Sequence, residues 1–522
     1  MNPFLLLALA ALPQHPPRER FPDQPQQDAL RYDLALHVDP AQRQLTGTVR
    51  YTFRAEAELA SIRLDARRSD DWHVTFTGTD GQALPSAWDD DAQCVVLTLP
   101  KQLGKGEQVQ FTAALAGTPV DGFYFKPNRY GDPLAFTDHY SIRARGWLPC
   151  EDNPTDRARF ALHVEYPRDC EAVGFGVPSE PAPGAPSPPS GFTALDLLGD
   201  TEIPPYMWAL VVGPFARVHE DGDPRLLDHF VYKQDVDAAK RALVHEAAWL
   251  HTMEQTFGPY AFGKYTTVQC PTRWGGFEAP GNVQLAEDLF DSPQGVGTLA
   301  HELVHMWFGD GVGYARWREV WLSEGFASYF GPWLWSQQGG PPFAAAMRDL
   351  RTTWLRSRDG RTKTVRDDTF AHPDQALNAN TYPKGAWVLH MLRGELGETA
   401  FFKALAQYYR DHVGRSLVTA DFAAAVQQSS GQDLGWFFSQ WLDRVGCPEL
   451  KVAAQDGAIT VTQTQKGEPY KFWLRLRWHG ADGAVLERRQ RIDQQEQRLA
   501  VDGAVRDLEV DPEVELLFRP AR

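Results

Sequence analysis

Cysteine is scarce in this chain: five in 522 residues, at positions 94, 150, 170, 270 and 447. None forms a C-x-x-C pair, so neither a disulfide framework nor a thiolate metal cluster is indicated, and an odd count leaves at least one thiol free. Cys150 and Cys170 are the one pair close enough in sequence to consider as a bridge. Positive charge is also short. With 52 Lys and Arg against 68 Asp and Glu, the formal net charge is −16, which argues against nucleic acid as a partner because phosphate neutralisation needs basic patches. Long apolar runs are missing after the N-terminus, so no transmembrane segment is expected in the mature chain. Phe4 to Leu12 has signal-peptide h-region length and Ala8-Leu9-Ala10 resembles a cleavage site, but no Lys or Arg precedes the run. A polar, Pro/Gln-rich stretch, Pro13 to Gln27, follows. Residues 1–28 therefore read as a signal peptide and tether, and the balance favours export over a cytoplasmic location.

Aromatic residues, by contrast, are plentiful, with 17 Trp and 29 Phe, and hydrophobic residues make up 43%. Such a composition is globular, and the length suggests three or four domains of ordinary size. Residues 29–215 alternate as strands, as in Leu34/Leu36/Val38 and Val49/Tyr51/Phe53, which predicts a β-rich first domain. Pro181 to Ser190 reads as a long hairpin loop, since strand-like sequence resumes at Phe192. From 216 to 445 helical periodicity takes over, beginning with a helix that Asp235 would cap and Gly258 would end. From 446 to 522 alternation returns, with Phe472, Leu474, Leu476 and Trp478 on one face, which predicts a small β-sandwich. No fixed-period repeat is present.

The chemistry is concentrated in His301-Glu302-Leu303-Val304-His305 and in Glu324, nineteen positions after the second histidine. Residues four apart share a helical face, so both imidazoles can reach one metal ion, and Glu324 completes a His2Glu set with a fourth position open to water. Chance would produce H-E-x-x-H in roughly three of a hundred chains of this usage. Zinc polarises a carbonyl and acidifies water, and Glu302 stands beside it as general base and then general acid. Leu303, Val304, Met306, Trp307 and Phe308 predict a buried helix, with Gly309 as its left-handed cap.

With these residues in place the chain resembles the M1 family of zinc aminopeptidases, the gluzincins that include aminopeptidase N and leukotriene A4 hydrolase. Gly275-Gly276-Phe277-Glu278-Ala279 is similar to the family's G-x-M-E-N motif, and Tyr382-Pro383-Lys384-Gly385-Ala386 to its Y-x-K-G-A. Arg145 to Pro154 looks like the segment joining the first β-domain to the cleft. The resemblance implies a multidomain α+β chain: an N-terminal β-saddle, a thermolysin-like, mostly α catalytic domain and a C-terminal β-sandwich. It also implies a short form without the large helical last domain, hence an open cleft.

As site residues it implies one zinc per chain on His301, His305 and Glu324; Glu302 and Tyr382 as catalytic groups, the phenol donating to the oxyanion; and Glu278 as the carboxylate that binds a free α-amino group. Gly275 and Gly276 would let the backbone approach the peptide. Phe277 and Ala279 depart from the motif. So does Thr137-Asp138-His139-Tyr140, where Tyr140 stands at a position usually held by an amide or acid. Asp138 could then serve as a second amine anchor, or Tyr140 could reshape the first side-chain pocket. The expected partners are peptides with a free N-terminus, acted on by a monomer. Rival readings are an endopeptidase or epoxide hydrolase of the same fold, or a non-catalytic peptide-binding protein.

Overall fold

The computed structural model describes residues 24–181, 187–199, 201–219, 227–292, 294–455 and 457–521. The apolar run Phe4 to Leu12 lies outside the described residues. No helix among those described is long and apolar enough to cross a membrane.

The chain begins with β-structure. Gln27–Asp39 pairs antiparallel with Gln44–Ala55 and parallel with Arg159–Pro167 at the centre of a seven-stranded sheet. Its alternation is that of a half-buried sheet: Tyr32, Leu34, Leu36 and Val38 face the core, and the residues between them are partly or fully exposed. A four-stranded sheet containing Pro133–Thr137 and Leu210–Gly213, and a three-stranded sheet beginning at Leu59, complete this part. Val177–Pro178 pairs antiparallel with Phe192–Leu198, the hairpin expected around the proline-rich loop.

A mixed sheet of five strands opens the helical part, in the order Ala216–His219, Leu227–Val231, Tyr265–Gln269, Val283–Leu285 and Gly276–Phe277. The last of these is an edge strand, held antiparallel by the Gly276/Leu285 and Phe277/Gln284 pairs. Its free edge is available to an extended ligand. Helices then dominate. Gly295–His305 carries the H-E-x-x-H motif and packs on Trp321–Gln337, which is buried continuously from Trp321 to Gly331. Phe343–Arg356, with only Met347 and Trp354 fully covered, is an amphipathic helix on the outer side.

The last part folds as two antiparallel-rich sheets of four and three strands. Phe472–His479 buries every second residue, and Leu474, Leu476, Ile459 and Val461 have no exposed surface. Among the contacts that tie this sandwich to the helices, Arg351 donates to Asp511 at 2.6 Å, and the His390 imidazole lies 2.8 Å from the Val514 carbonyl.

Three local expectations are corrected. Asp235 does precede a helix, but its side chain caps nothing; its carboxylate accepts from Arg129, Tyr130 and Gln269, so long-range pairing outcompetes the local cap. The motif helix ends at His305, and Gly309, at φ 134°, turns the following loop rather than capping the helix. All five cysteines are free, so Cys150 and Cys170 are not bridged.

Candidate metal centre and substrate cleft

His301 and His305 are one helical turn apart, and their rings lie 4.8 Å apart, nearly perpendicular. Both Nε2 atoms converge on Glu324 Oε2, at 3.2 Å from His301 and 3.5 Å from His305. The three donor atoms lie within 4.8 Å of one another. Nδ1 of His305 faces Ser323 Oγ at 2.9 Å and the Phe308 carbonyl at 3.3 Å, which leaves Nε2 as the free lone pair. Sequence reasoning missed Ser323; its only signal is that it directly precedes Glu324.

Glu324 reaches this point because Trp321–Gln337 crosses close to Asn380–Leu396. Gly325 and Gly385 meet backbone to backbone: a Cβ on Gly325 would stand 2.9 Å from Gly385 Cα. That approach also delivers Tyr382, whose ring stacks parallel to His301 at 6.0 Å. Burial, together with the charge of Glu324, raises the Tyr382 phenol well above its ordinary value, so it keeps its proton and remains a donor.

Glu278 follows the edge strand and is buried; its carboxylate, that of Glu302 and the His305 imidazole form a second cluster with donor atoms within 4.8 Å of one another. Gly276 backs directly onto Glu302, since a Cβ there would fall 2.4 Å from Glu302 Oε1. Gly275 has open space around it.

Among the described residues, three buried carboxylates and no lysine or arginine line this end of the cleft. Neither Glu278 nor Glu302 has a hydrogen bond or ion pair to a lysine or arginine side chain among the described residues. Burial raises both carboxyls, opposed by His305. Burial would likewise raise Glu324, but the charge of His305 and hydrogen bonds from both histidines hold it at about 2. His305, which burial alone would lower, is pushed up to about 10 by Glu278, Glu324 and Glu302. The pocket thus demands positive charge. A nitrogen–nitrogen–carboxylate donor set on two packed helices, with a surplus of buried anions, fits zinc.

Tyr140 lines the cleft. Its ring is packed edge-on by Tyr206, Trp274 and Trp317 at 5.7 to 5.9 Å. Asp138 is buried. Its carboxylate accepts from Arg273 Nε at 3.1 Å and Trp274 Nε1 at 3.2 Å and so fixes the loop before the edge strand. The Arg145 to Pro154 segment is anchored by Arg145 donating to Asp152 at 2.9 Å. The cleft has a volume of about 770 Å³.

A β-rich N-terminal part, a helical part carrying a buried His2Glu centre and a C-terminal sandwich together define a metallopeptidase architecture. The model of the peptidase M1 N-terminal domain matches residues 28–174, and that of the peptidase family M1 domain matches residues 241–441. The chain belongs to peptidase family M1. Aminopeptidase M1 of Arabidopsis thaliana is 30% identical over 83% of this chain and 52% of its own length, and aminopeptidase N of Streptomyces lividans is 29% identical over 64% and 41%. The chain thus spans about half the length of the curated relatives it matches. A crystal structure of an M1 zinc metallopeptidase from Deinococcus radiodurans aligns with a TM-score of 0.68 and 26% identity, covering 80% of this chain and 95% of that one. A mutant of that enzyme has been crystallised with a Tyr-Ser-Ala substrate.

Proposed function

We propose that the chain is a zinc-dependent aminopeptidase that removes the N-terminal residue of peptides, with zinc held by His301, His305 and Glu324. The observation that carries this reading is the place of Glu278: a buried carboxylate with no lysine or arginine partner among the described residues, beside His305 and directly after an edge strand. A free α-ammonium is the substrate group that satisfies it. The Tyr-Ser-Ala complex of the Deinococcus radiodurans relative supports a peptide ligand.

When bound, the zinc supplies Lewis-acid polarisation of the scissile carbonyl and acidification of water. Glu302 takes the proton of the attacking water and returns it to the leaving amine, one group acting at successive steps. The Tyr382 phenol, protonated at working pH, donates to the oxyanion. Glu278 holds the α-ammonium, which fixes the cut at one residue from the terminus. Gly275 and Gly276 present the edge strand to the peptide, and Tyr140 with Trp274 forms an aromatic end wall for the first side chain.

The test compares free and N-acetylated aminoacyl amides. Acetylation removes the charge that pairs with Glu278, a loss on the order of 2 kcal/mol or more. Free substrates should be strongly preferred, and Glu278→Ala should narrow the preference. Equal turnover of both by the wild type would favour an endopeptidase.

A further inference from the structure

The motif helix gives the cleft a direction. Gln294, Gly297, Thr298, His301 and His305 all line it, a stripe with i, i+3/i+4 spacing on one face of that helix. Glu278 stands at the His305 end. A peptide held there by its amino terminus crosses the metal position and then runs back along the helix from His301 towards Gln294, about 10 Å of helix at 1.5 Å per residue. That distance accommodates several residues beyond the cleaved bond.

The far arm has a distinct lining. Trp335 covers Gly297, whose Cβ would stand 3.1 Å from the indole. The opposite wall is one face of Phe343–Arg356, contributed by Ala345, Ala346, Asp349, Leu350 and Thr353. It is apolar or small except for Asp349. Among the described residues the cleft is lined by four carboxylates, those of Glu278, Glu302, Glu324 and Asp349, and by no lysine or arginine. The first three surround the metal position. Asp349 stands apart at the solvent-facing rim and makes no hydrogen bond or ion pair among the described residues.

We propose that this arm binds the residues past the cleaved bond and that Asp349 selects a lysine or arginine side chain there, against an acidic one. The inference rests on the aminopeptidase reading above and adds a preference on the leaving side of the bond. The same carboxylate repels the terminal carboxylate of a short peptide, so short peptides are better substrates as C-terminal amides.

The test uses Ala-X-Gly-Gly amide and Ala-Gly-X-Gly amide with X as Arg, Gln or Glu, and alanine amide as the substrate with nothing in the far arm. Ratios of kcat/KM are taken within each enzyme, so a general loss of turnover cancels. Wild type should favour Arg over Glu by roughly three- to ten-fold in one series, as expected of a solvent-facing charge, and less so at high salt. Asp349→Asn should flatten the ratio and Asp349→Lys should invert it. A flat wild-type ratio in both series, or a ratio that neither substitution moves, overturns the role of Asp349 while leaving the aminopeptidase reading intact. No turnover of any of these substrates, alanine amide included, by zinc-loaded wild type overturns that reading and this one together.

Discussion

Gly325 and Gly385 face one another with no side chain between them, and that contact sets the distance between Glu324 and Tyr382. A Cβ on either glycine would lie under 3 Å from the other's Cα. Backbone cannot yield as a side-chain tip does, so Gly385→Ala must part the two helices. Overpacking of this kind costs about 1 to 3 kcal/mol, more than the up to about 1 kcal/mol that alanine returns in helix propensity. Gly385→Ala should therefore lower the urea midpoint and depress kcat together. A variant with unchanged stability and kcat would show that the helices do not need this approach.

Ser323 holds the second nitrogen of His305. Losing such a partner typically costs 10- to 100-fold in metal affinity. The Phe308 carbonyl remains within 3.3 Å of Nδ1, so Ser323→Ala should fall near the lower end. Competition with a chelating dye measures it; an unchanged zinc Kd would assign orientation of the ring to Phe308 alone.

The metal donors were legible because helical geometry ties His301 to His305 by spacing alone, and the alternating strands and sandwich face were legible for the same local reason. Contacts made across the chain were not. Asp138 reads as a carboxylate near the cleft, but its partners Arg273 and Trp274, which occupy its carboxylate, lie some 135 positions away. Asp235 has the look of a cap and is used instead by Arg129 and Tyr130. The glycine of Y-x-K-G-A could be quoted as part of a motif, yet its reason, the backbone of Gly325, sits on a different helix.

Asp374 links the first β-rich part to the helices by accepting from Arg143 and, at 2.8 Å, from Ser141 Oγ. Burial opposes its ionisation, but these two donors prevail and hold its carboxyl below the usual 3.8. A depressed carboxyl contributes stability that is present above its unfolded value and lost as pH falls through the lower folded one. Asp374→Asn should thus be less stable than wild type at pH 7, by roughly 1 to 2 kcal/mol for a partly buried charged pair, with the gap closing below the usual 3.8. Urea unfolding of both proteins across that range checks it. A gap independent of pH would mean that the carboxylate's charge contributes nothing.

Glu302→Gln and Tyr382→Phe separate two roles in turnover. Glu302→Gln removes the proton acceptor without touching a metal donor, so zinc should stay stoichiometric while kcat falls by roughly 100-fold or more. Tyr382→Phe removes a donor to the oxyanion and should lower kcat more than it changes KM. Elemental analysis after dialysis and steady-state kinetics read both. Tyr382→Phe with wild-type kcat would take the phenol out of the reaction.

Gly276 and Gly275 are adjacent, yet only one is confined. A Cβ on Gly276 would fall 2.4 Å from Glu302 Oε1 and 2.6 Å from its Cγ, so the whole carboxylate arm, not merely its tip, must swing aside. Gly275 meets nothing within 4 Å. The clash lies on the group that moves the proton, and the three atoms nearest the new Cβ all belong to Glu302 rather than to a metal donor. Gly276→Ala should therefore retain zinc and the fold while losing kcat, approaching the level of Glu302→Gln, because a displaced base is little better than an absent one. Gly275→Ala should stay within a few-fold of wild type, as its new methyl group enters open space. If the two alanine variants lost the same fraction of kcat, the damage would come from the sheet edge as a whole, and the contact between Gly276 and Glu302 would not be what positions the base.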